Sequence, residues 1–139
     1  MSISSGTMIP ALQYNDAATA IEWLCNALGF EKKLVVPGEN GIIVHAQLTL
    51  GNGMVMVGNK RDSEYSQLVK TPQEVDGFNT QSPFIYLEDN EMDSHFENAK
   101  KAGANIIAEL REEEYGGRYY SCKDPEGHMW SFGSYNPYA

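Results

Sequence analysis

Ile9-Pro-Ala-Leu-Gln-Tyr-Asn-Asp16 and Ser82-Pro-Phe-Ile-Tyr-Leu-Glu-Asp89 are two versions of one segment, set 73 residues apart. Pro10 falls on Pro83, Leu12 on Ile85, Tyr14 on Leu87 and Asp16 on Asp89. In each, small or apolar residues alternate as on a half-buried strand, and the closing Asp is suited to cap a helix. Such a repeat makes each copy one structural unit and leads the two copies to share a core.

Working outward, a helical stretch follows each Asp. Ala17, Ile21, Leu24 and Leu28 fall at helical spacing before Gly29, and Met92, Phe96 and Ala99 do so before Gly103. The two glycines are 74 apart, so the second helix is one residue longer. Strand signals come next. Residues 30–36 and 42–50 flank Asn40-Gly41, and residues 42–50 and 54–58 flank Asn52-Gly53, pairs whose members favour positive φ. In the second copy, residues 104–110 and 118–123 flank Gly116-Gly117, and Asp124-Pro-Glu-Gly127 turns the chain into residues 129–134.

Each half therefore reads strand, helix, strand, strand, strand. The expected class is α+β: two tandem βαβββ repeats, over residues 8–59 and 82–135, forming a curled mixed sheet, or cup, with helices on the outside. The whole is expected as a single domain. Residues 60–81 connect the repeats; they are polar and weakly periodic, as suits a lid or a mobile segment.

The formal net charge of −9 argues against a phosphate-neutralising face, hence against a nucleic-acid partner, and disfavours docking on anionic lipid. No stretch approaches the ~20 apolar residues of a bilayer span. Residues 1–8 lack the basic and apolar regions of a secretion signal. Cys25 and Cys122 sit in apolar segments and are expected to be free thiols. The expectation is a cytoplasmic protein.

Asp16-Ala-Ala-Thr-Ala-Ile-Glu-Trp-Leu, with Leu28-Gly-Phe30 after it, resembles the glyoxalase/bleomycin resistance/dioxygenase (vicinal oxygen chelate) superfamily. Asp124-Pro-Glu-Gly-His-Met-Trp-Ser-Phe-Gly133, preceded by Tyr115-Gly-Gly-Arg-Tyr-Tyr120, is most similar to its glyoxalase-like branch. The resemblance spans about residues 8–135. In metal-dependent members it implies a ligand from the first and last strand of each repeat, and Ile9, Ser82, Val57 and Ser131 occupy those positions here. Isoleucine and valine have no donor and serine is a weak neutral one, so no metal and no cofactor is expected. A one-residue shift offers Met56 or Gly58 and Trp130 or Phe132, which is no better. His45, His95 and His128 lie on different elements and supply no ligand spacing. No nucleophile elbow or phosphate-binding glycine loop is present.

Strand alternation assigns faces. If Pro10, Leu12 and Tyr14 lie under the helix, then Ile9, Ala11 and Gln13 face the cup, with Ser82, Phe84 and Tyr86 as their counterparts. The third strand is expected to put apolar Ile42, Val44, Ala46 and Leu48 on one face and His45, Gln47 and Thr49 on the cup face, with Tyr119 and Ser121 facing the cup from the equivalent strand. The last strands are expected to give the cup Val55, Val57, Met129 and Ser131, and the helix side Met54, Met56, Trp130 and Phe132. Arg118 is a candidate for a ligand carboxylate or phosphate, weighed against an ion pair with Glu112, Glu113 or Glu114. Tyr65, in the connection, is a candidate to close over a ligand, weighed against an ordinary surface tyrosine. The candidate ligand-binding set is therefore Gln13, His45, Gln47, Phe84, Tyr86, Arg118, Tyr119, Ser121 and Ser131.

Apolar walls with sparse neutral polar groups suit a small-molecule pocket. The expected function is metal-independent binding of an apolar or aromatic molecule, the acidic charge favouring a cationic one. The resemblance supplies a precedent in bleomycin-resistance proteins, which sequester a drug without chemistry, and implies a homodimer. The alternatives are a glyoxalase-like lyase or isomerase, or dioxygenase-related enzyme, with an atypical site, and an interaction module with a filled cup.

Overall fold

A computed structural model of the chain describes residues 3–139. Met1 and Ser2, part of the stretch considered above for a secretion signal, lie outside the described residues. The first half runs β1 (Ala11–Tyr14), α1 (Ala17–Leu28), β2 (Glu31–Pro37), β3 (Ile43–Leu50) and β4 (Gly53–Asn59). The connection holds a short helix, α2 (Glu64–Leu68), and a 3₁₀ turn at Pro72–Val75. The second half repeats the order as β5 (Phe84–Tyr86), α3 (Asp89–Lys101), β6 (Asn105–Glu112), β7 (Arg118–Lys123) and β8 (Met129–Gly133). Each half forms one mixed four-stranded sheet, β1-β4-β3-β2 and β5-β8-β7-β6, whose first strand runs parallel to its last. The α+β class and the paired βαβββ units are those expected from the repeat, with the sheets left open rather than closed on each other.

Asp16 caps α1, its carboxylate accepting from Thr19 N at 3.2 Å and Thr19 Oγ1 at 2.7 Å, and Gly29 closes the helix at φ 83°. The cap of α3 differs from expectation. Glu88 takes that place in a capping box with Glu91, and Asp89 becomes the first helical residue. Asp89 is thereby free to pair with Arg118 at 3.1 Å. One hairpin also shifts. Leu50 pairs with Gly53, so the loop is Gly51-Asn52 rather than Asn52-Gly53, and Gly51 carries the positive φ of 58°. Asn40 and Gly41 do both adopt positive φ.

On the helix side of the first sheet, Tyr14, Ala46, Leu48, Val55 and Val57 are buried under Ala17, Ile21, Leu24 and Leu28 of α1. In the second, Tyr120, Cys122, Trp130 and Phe132 are buried under Met92, Phe96 and Ala99 of α3. The two groups fuse into one core. α1 packs on α3, Phe30 meets Trp130 edge-on at 5.5 Å, and Trp23 Nε1 donates to Ala102 O at 2.9 Å. Each fully buried Leu or Met in this core contributes about 2 kcal/mol of transfer free energy. Cys25 and Cys122 are free, and burial pushes the Cys122 thiol up to about 12.

The connection is tied down rather than loose. Lys60 Nζ donates to Ser66 O at 3.1 Å and Val69 O at 2.8 Å and pairs with Glu74 at 3.0 Å. Among the described residues no helix is long and apolar enough to cross a membrane.

Candidate functional site

The sheet faces turned away from the helices carry every candidate residue except one. On the first sheet, Gln13 lies on β1, His45 and Gln47 on β3, and Met54 and Met56 on β4; the register sets Ala11 and Gln47 beside Met56 and Gln13 beside Gly58. His45 Nε2 and Gln47 Nε2 are 3.1 Å apart. A cavity of about 320 Å³ opens over this face. Its floor includes Ala11, Gln13, His45 and Met56, and Arg61, Ser63, Tyr65 and Ser66 wall it from the connection. Gln13 Nε2 donates to Ser66 Oγ at 3.0 Å, while Gln13 Oε1 is buried without a partner.

On the second sheet, Phe84 and Ser131 are neighbours, as are Ser121 and Ser131, whose hydroxyls meet at 2.7 Å. Phe84 and Tyr86 stand 46% and 43% exposed, large aromatic surface on a face not covered by α3. Gly133 lets the Phe84 ring lie close on the strand, since a Cβ there would come within 2.8 Å of Phe84 Cε1. Tyr86 Oη donates to Glu88 at 3.3 Å, and partial desolvation, then that carboxylate, raises its phenol above the usual range. Arg111 lies over the Tyr119 ring at 5.0 Å and hydrogen-bonds its hydroxyl.

Arg118 is the exception. Its guanidinium reaches α3, bonding Asp89 Oδ1 at 3.1 Å, Asp93 Oδ1 at 3.0 Å and Asp93 Oδ2 at 3.2 Å. It is therefore not a ligand group of the open face, and its ion-pair partners are the first turns of α3 rather than Glu112, Glu113 or Glu114. The last strand of the first half is also corrected. Val55 and Val57 are buried on the helix side, and Met54 and Met56 take the open face. Equivalent positions of β4 and β8 are 75 apart, Met56 matching Ser131 and Val57 matching Phe132, because the two turns differ in length. Phe132 and Trp130 are buried and Met129 and Ser131 lie opposite them, as expected.

The Asp124-to-His128 stretch, prominent in the sequence, serves the junction between halves. Asp124, 4% exposed, accepts from Tyr14 Oη at 2.6 Å, Trp130 Nε1 at 3.0 Å, Glu126 N at 3.0 Å and His128 N at 3.1 Å. Burial first, then the Asp124 charge, holds the Tyr14 phenol well above its ordinary value. Glu126 accepts from Asn15 N and Asp16 N at the start of α1, and His128 Nε2 donates to Gln13 O at 2.7 Å. His95 also bridges the halves, donating from Nε2 to Leu28 O at 2.8 Å and accepting at Nδ1 from Tyr120 Oη at 2.7 Å. Burial lowers its pKa below the usual value.

A divalent metal fits these faces poorly. The first offers one imidazole, His45, and the carboxamides of Gln13 and Gln47; on the second, Phe84, Tyr86, Tyr119, Ser121, Met129 and Ser131 bring neither imidazole nor carboxylate. Among the described residues no group of three or more His, Cys, Asp or Glu side chains is placed to hold an ion. Met56, at the position equivalent to Ser131, has only a soft thioether. Sequence reasoning overlooked Met54, Met56, Arg61, Ser63 and Ser66. The methionines were lost to a one-residue register error, and the others belong to a connection without periodicity.

A family model described as Glyoxalase/Bleomycin resistance protein/Dioxygenase superfamily matches residues 9–132. An uncharacterized protein of Mycobacterium bovis is 32% identical over 125 residues, covering 89% of this chain and 80% of that relative. The crystal structure of TioX from Micromonospora sp. ML1 superposes with a TM-score of 0.73 at 30% identity, covering 93% of this chain and 98% of TioX. A crystal structure of the fosfomycin resistance protein FosX from Listeria monocytogenes, complexed with Mn(II) and sulfate, gives a TM-score of 0.70 at 14% identity, covering 97% and 94%. At that identity the likeness to FosX is one of fold alone.

Proposed function

We propose that this chain, which belongs to the Glyoxalase/Bleomycin resistance protein/Dioxygenase superfamily, binds an apolar or aromatic small molecule on its open sheet faces without a metal ion and without chemistry. The observation that carries this is the make-up of those faces. Ala11, Met56 and Tyr65 on one, and Phe84 and Tyr86 on the other, give apolar area, while Gln13, His45 and Ser131 are the few polar groups able to orient a ligand. The donor set, poor in carboxylate and imidazole, supports a site that holds its ligand by stacking and hydrogen bonds. Two half-open faces in one chain also favour a homodimer in which the first sheet of one copy faces the second sheet of its partner, enclosing a ligand between them. The net charge of −9 supports cationic ligands, and the place of action is the cytoplasm.

The test is a fluorescence titration with proflavine, a planar cationic dye, in excess EDTA, beside sedimentation equilibrium. Saturable binding is expected, unchanged by EDTA and weakened about tenfold by Phe84→Ala or Tyr86→Ala, as loss of an aromatic wall dictates. Failure to bind, or binding that appears only with added divalent ion, overturns the proposal. A strictly monomeric protein removes the dimer.

A further inference from the structure

The side-chain oxygen of Gln13 is, among the described residues, the one buried side-chain polar atom without a hydrogen-bond partner. Buried acceptors in native proteins are nearly always paired, so an exception calls for a physical account. The Gln13 amide is fixed by Nε2 donating to Ser66 Oγ at 3.0 Å, and Ser66 Oγ in turn accepts from Arg61 N at 3.3 Å. The main chain of Gln13 is held from the other side, its carbonyl accepting from His128 Nε2 at 2.7 Å. The acceptor thus belongs to a residue that lines the 320 Å³ cavity together with Ala11, Met56 and Tyr65.

We infer that the first-sheet cavity selects planar ligands carrying an N–H donor, which the Gln13 side-chain oxygen receives beneath α2. This rests on the proposal that the cavity holds an aromatic ligand, and it names the group that fixes the ligand's orientation. A donor at that point satisfies the stranded acceptor. A ligand that brings an ether or carboxylate oxygen there sets two acceptors against each other and leaves Gln13 unpaired. Rejection of the wrong partner is therefore stronger than attraction of the right one, as is usual where a site's own buried polar group is at stake. The oxygen is buried, so side chains around it shift to admit the N–H group, and the amides of residues 63–66, joined to Gln13 through Ser66, report its arrival.

Indole and benzofuran have one shape and differ in N–H against O. Titration of each into the ¹⁵N-labelled protein, followed through resonances of β1, β4 and α2, is expected to show indole bound about five- to tenfold more tightly. Gln13→Leu brings the ratio to about one. Gln13→Glu, which keeps an acceptor oxygen at that place, retains the preference and guards against misfolding of the leucine variant. Equal binding of the two probes by the wild type, or a preference that survives Gln13→Leu, overturns this inference and leaves the cavity a ligand site. Absence of binding by both probes overturns the cavity and the inference together.

Discussion

Replacing Asp124 by Asn alters one atom of a buried network and is expected to lower stability by about 3 kcal/mol. The magnitude follows from the four bonds. Oδ2 accepts from Tyr14 Oη at 2.6 Å and Trp130 Nε1 at 3.0 Å, and Oδ1 from the amides of Glu126 at 3.0 Å and His128 at 3.1 Å. An amide group in place of Oδ2 faces the indole N–H with another donor, costing about 2 kcal/mol for the lost charge-assisted bond and the stranded N–H. The Tyr14 hydroxyl can turn to accept, keeping a neutral bond in place of a charged one, a loss of about 1 kcal/mol. Turning the amide over moves the conflict to the Glu126 and His128 amides, with a similar result. Asp124 is 4% exposed, so water does not step in. For a chain of 139 residues, 3 kcal/mol corresponds to a fall in Tm of about 10 °C. Urea unfolding and calorimetry measure it, and a Tyr14→Phe cycle is expected to show coupling of about 1 kcal/mol between the residues. An Asn variant within about 1 kcal/mol of wild type, with no coupling to Tyr14, would refute the claim that this carboxylate joins the halves.

Glu126→Ala leaves Asn15 N and Asp16 N without their carboxylate acceptor and is expected to cost about 1–2 kcal/mol in urea unfolding. Gly117→Ala and Gly41→Ala separate strain from crowding. Both glycines have positive φ, 71° and 77°, but a Cβ on Gly117 meets Tyr135 N at 2.6 Å whereas one on Gly41 meets nothing within 4 Å. Thermal melts are expected to show about 1 kcal/mol lost at Gly41 and more than about 2 at Gly117. His95 is held neutral by burial, with a folded pKa below the ordinary value. Unfolded His95 gains its proton near pH ~6.5. Stability is therefore full above that pH and is lost as pH falls from the unfolded value towards the lower folded one, at up to about 1.4 kcal/mol per unit. Unfolding of wild type and His95→Gln between pH 8 and 5 checks this: the difference between them should shrink on acidification.

The paired segments at Asp16 and Asp89 disclosed the architecture because a strand, a cap and a helix each leave a local pattern, and a repeat states it twice. Faces were legible wherever alternation was unambiguous. Tyr14 and Leu12 against Gln13, or Ala46 and Leu48 against His45 and Gln47, sorted as burial requires, whereas at the start of β3, opposite a register shift in β2, Ile43 is buried and Val44, expected with Ala46, is exposed. β4 defeated the same logic. Gly-Met-Val-Met-Val is apolar at every position, so alternation is silent, and the turn glycine offered a false anchor. The true loop is Gly51-Asn52, two residues, while the counterpart between Lys123 and Met129 is longer, so one extra residue moved Met56 and Val57 to opposite faces. Arg118 failed for another reason. Its partners Asp89 and Asp93 lie 29 and 25 residues away on α3, and no local spacing announces a contact of that range. Ser66 was hidden likewise, since a five-residue helix has too little length for periodicity, and Arg61 lies in the irregular stretch before it.

The stretch with the strongest family likeness spends its polar groups on the fold. Asp124, Glu126 and His128 all reach back to residues 13–16, at Tyr14, at Asn15 and Asp16, and at Gln13. Those contacts tie the turn before β8 to the end of β1 and the start of α1. The proposed binding groups lie elsewhere, on side chains that point away from the core: Gln13, Met56, Phe84 and Ser131. Gln13 is where the two meet. Its carbonyl belongs to the junction through His128 and its amide to the cavity through Ser66. On the inference drawn above, the scaffold fixes the main chain of Gln13 through His128, so that part of the residue's ordering cost is met in folding rather than in binding.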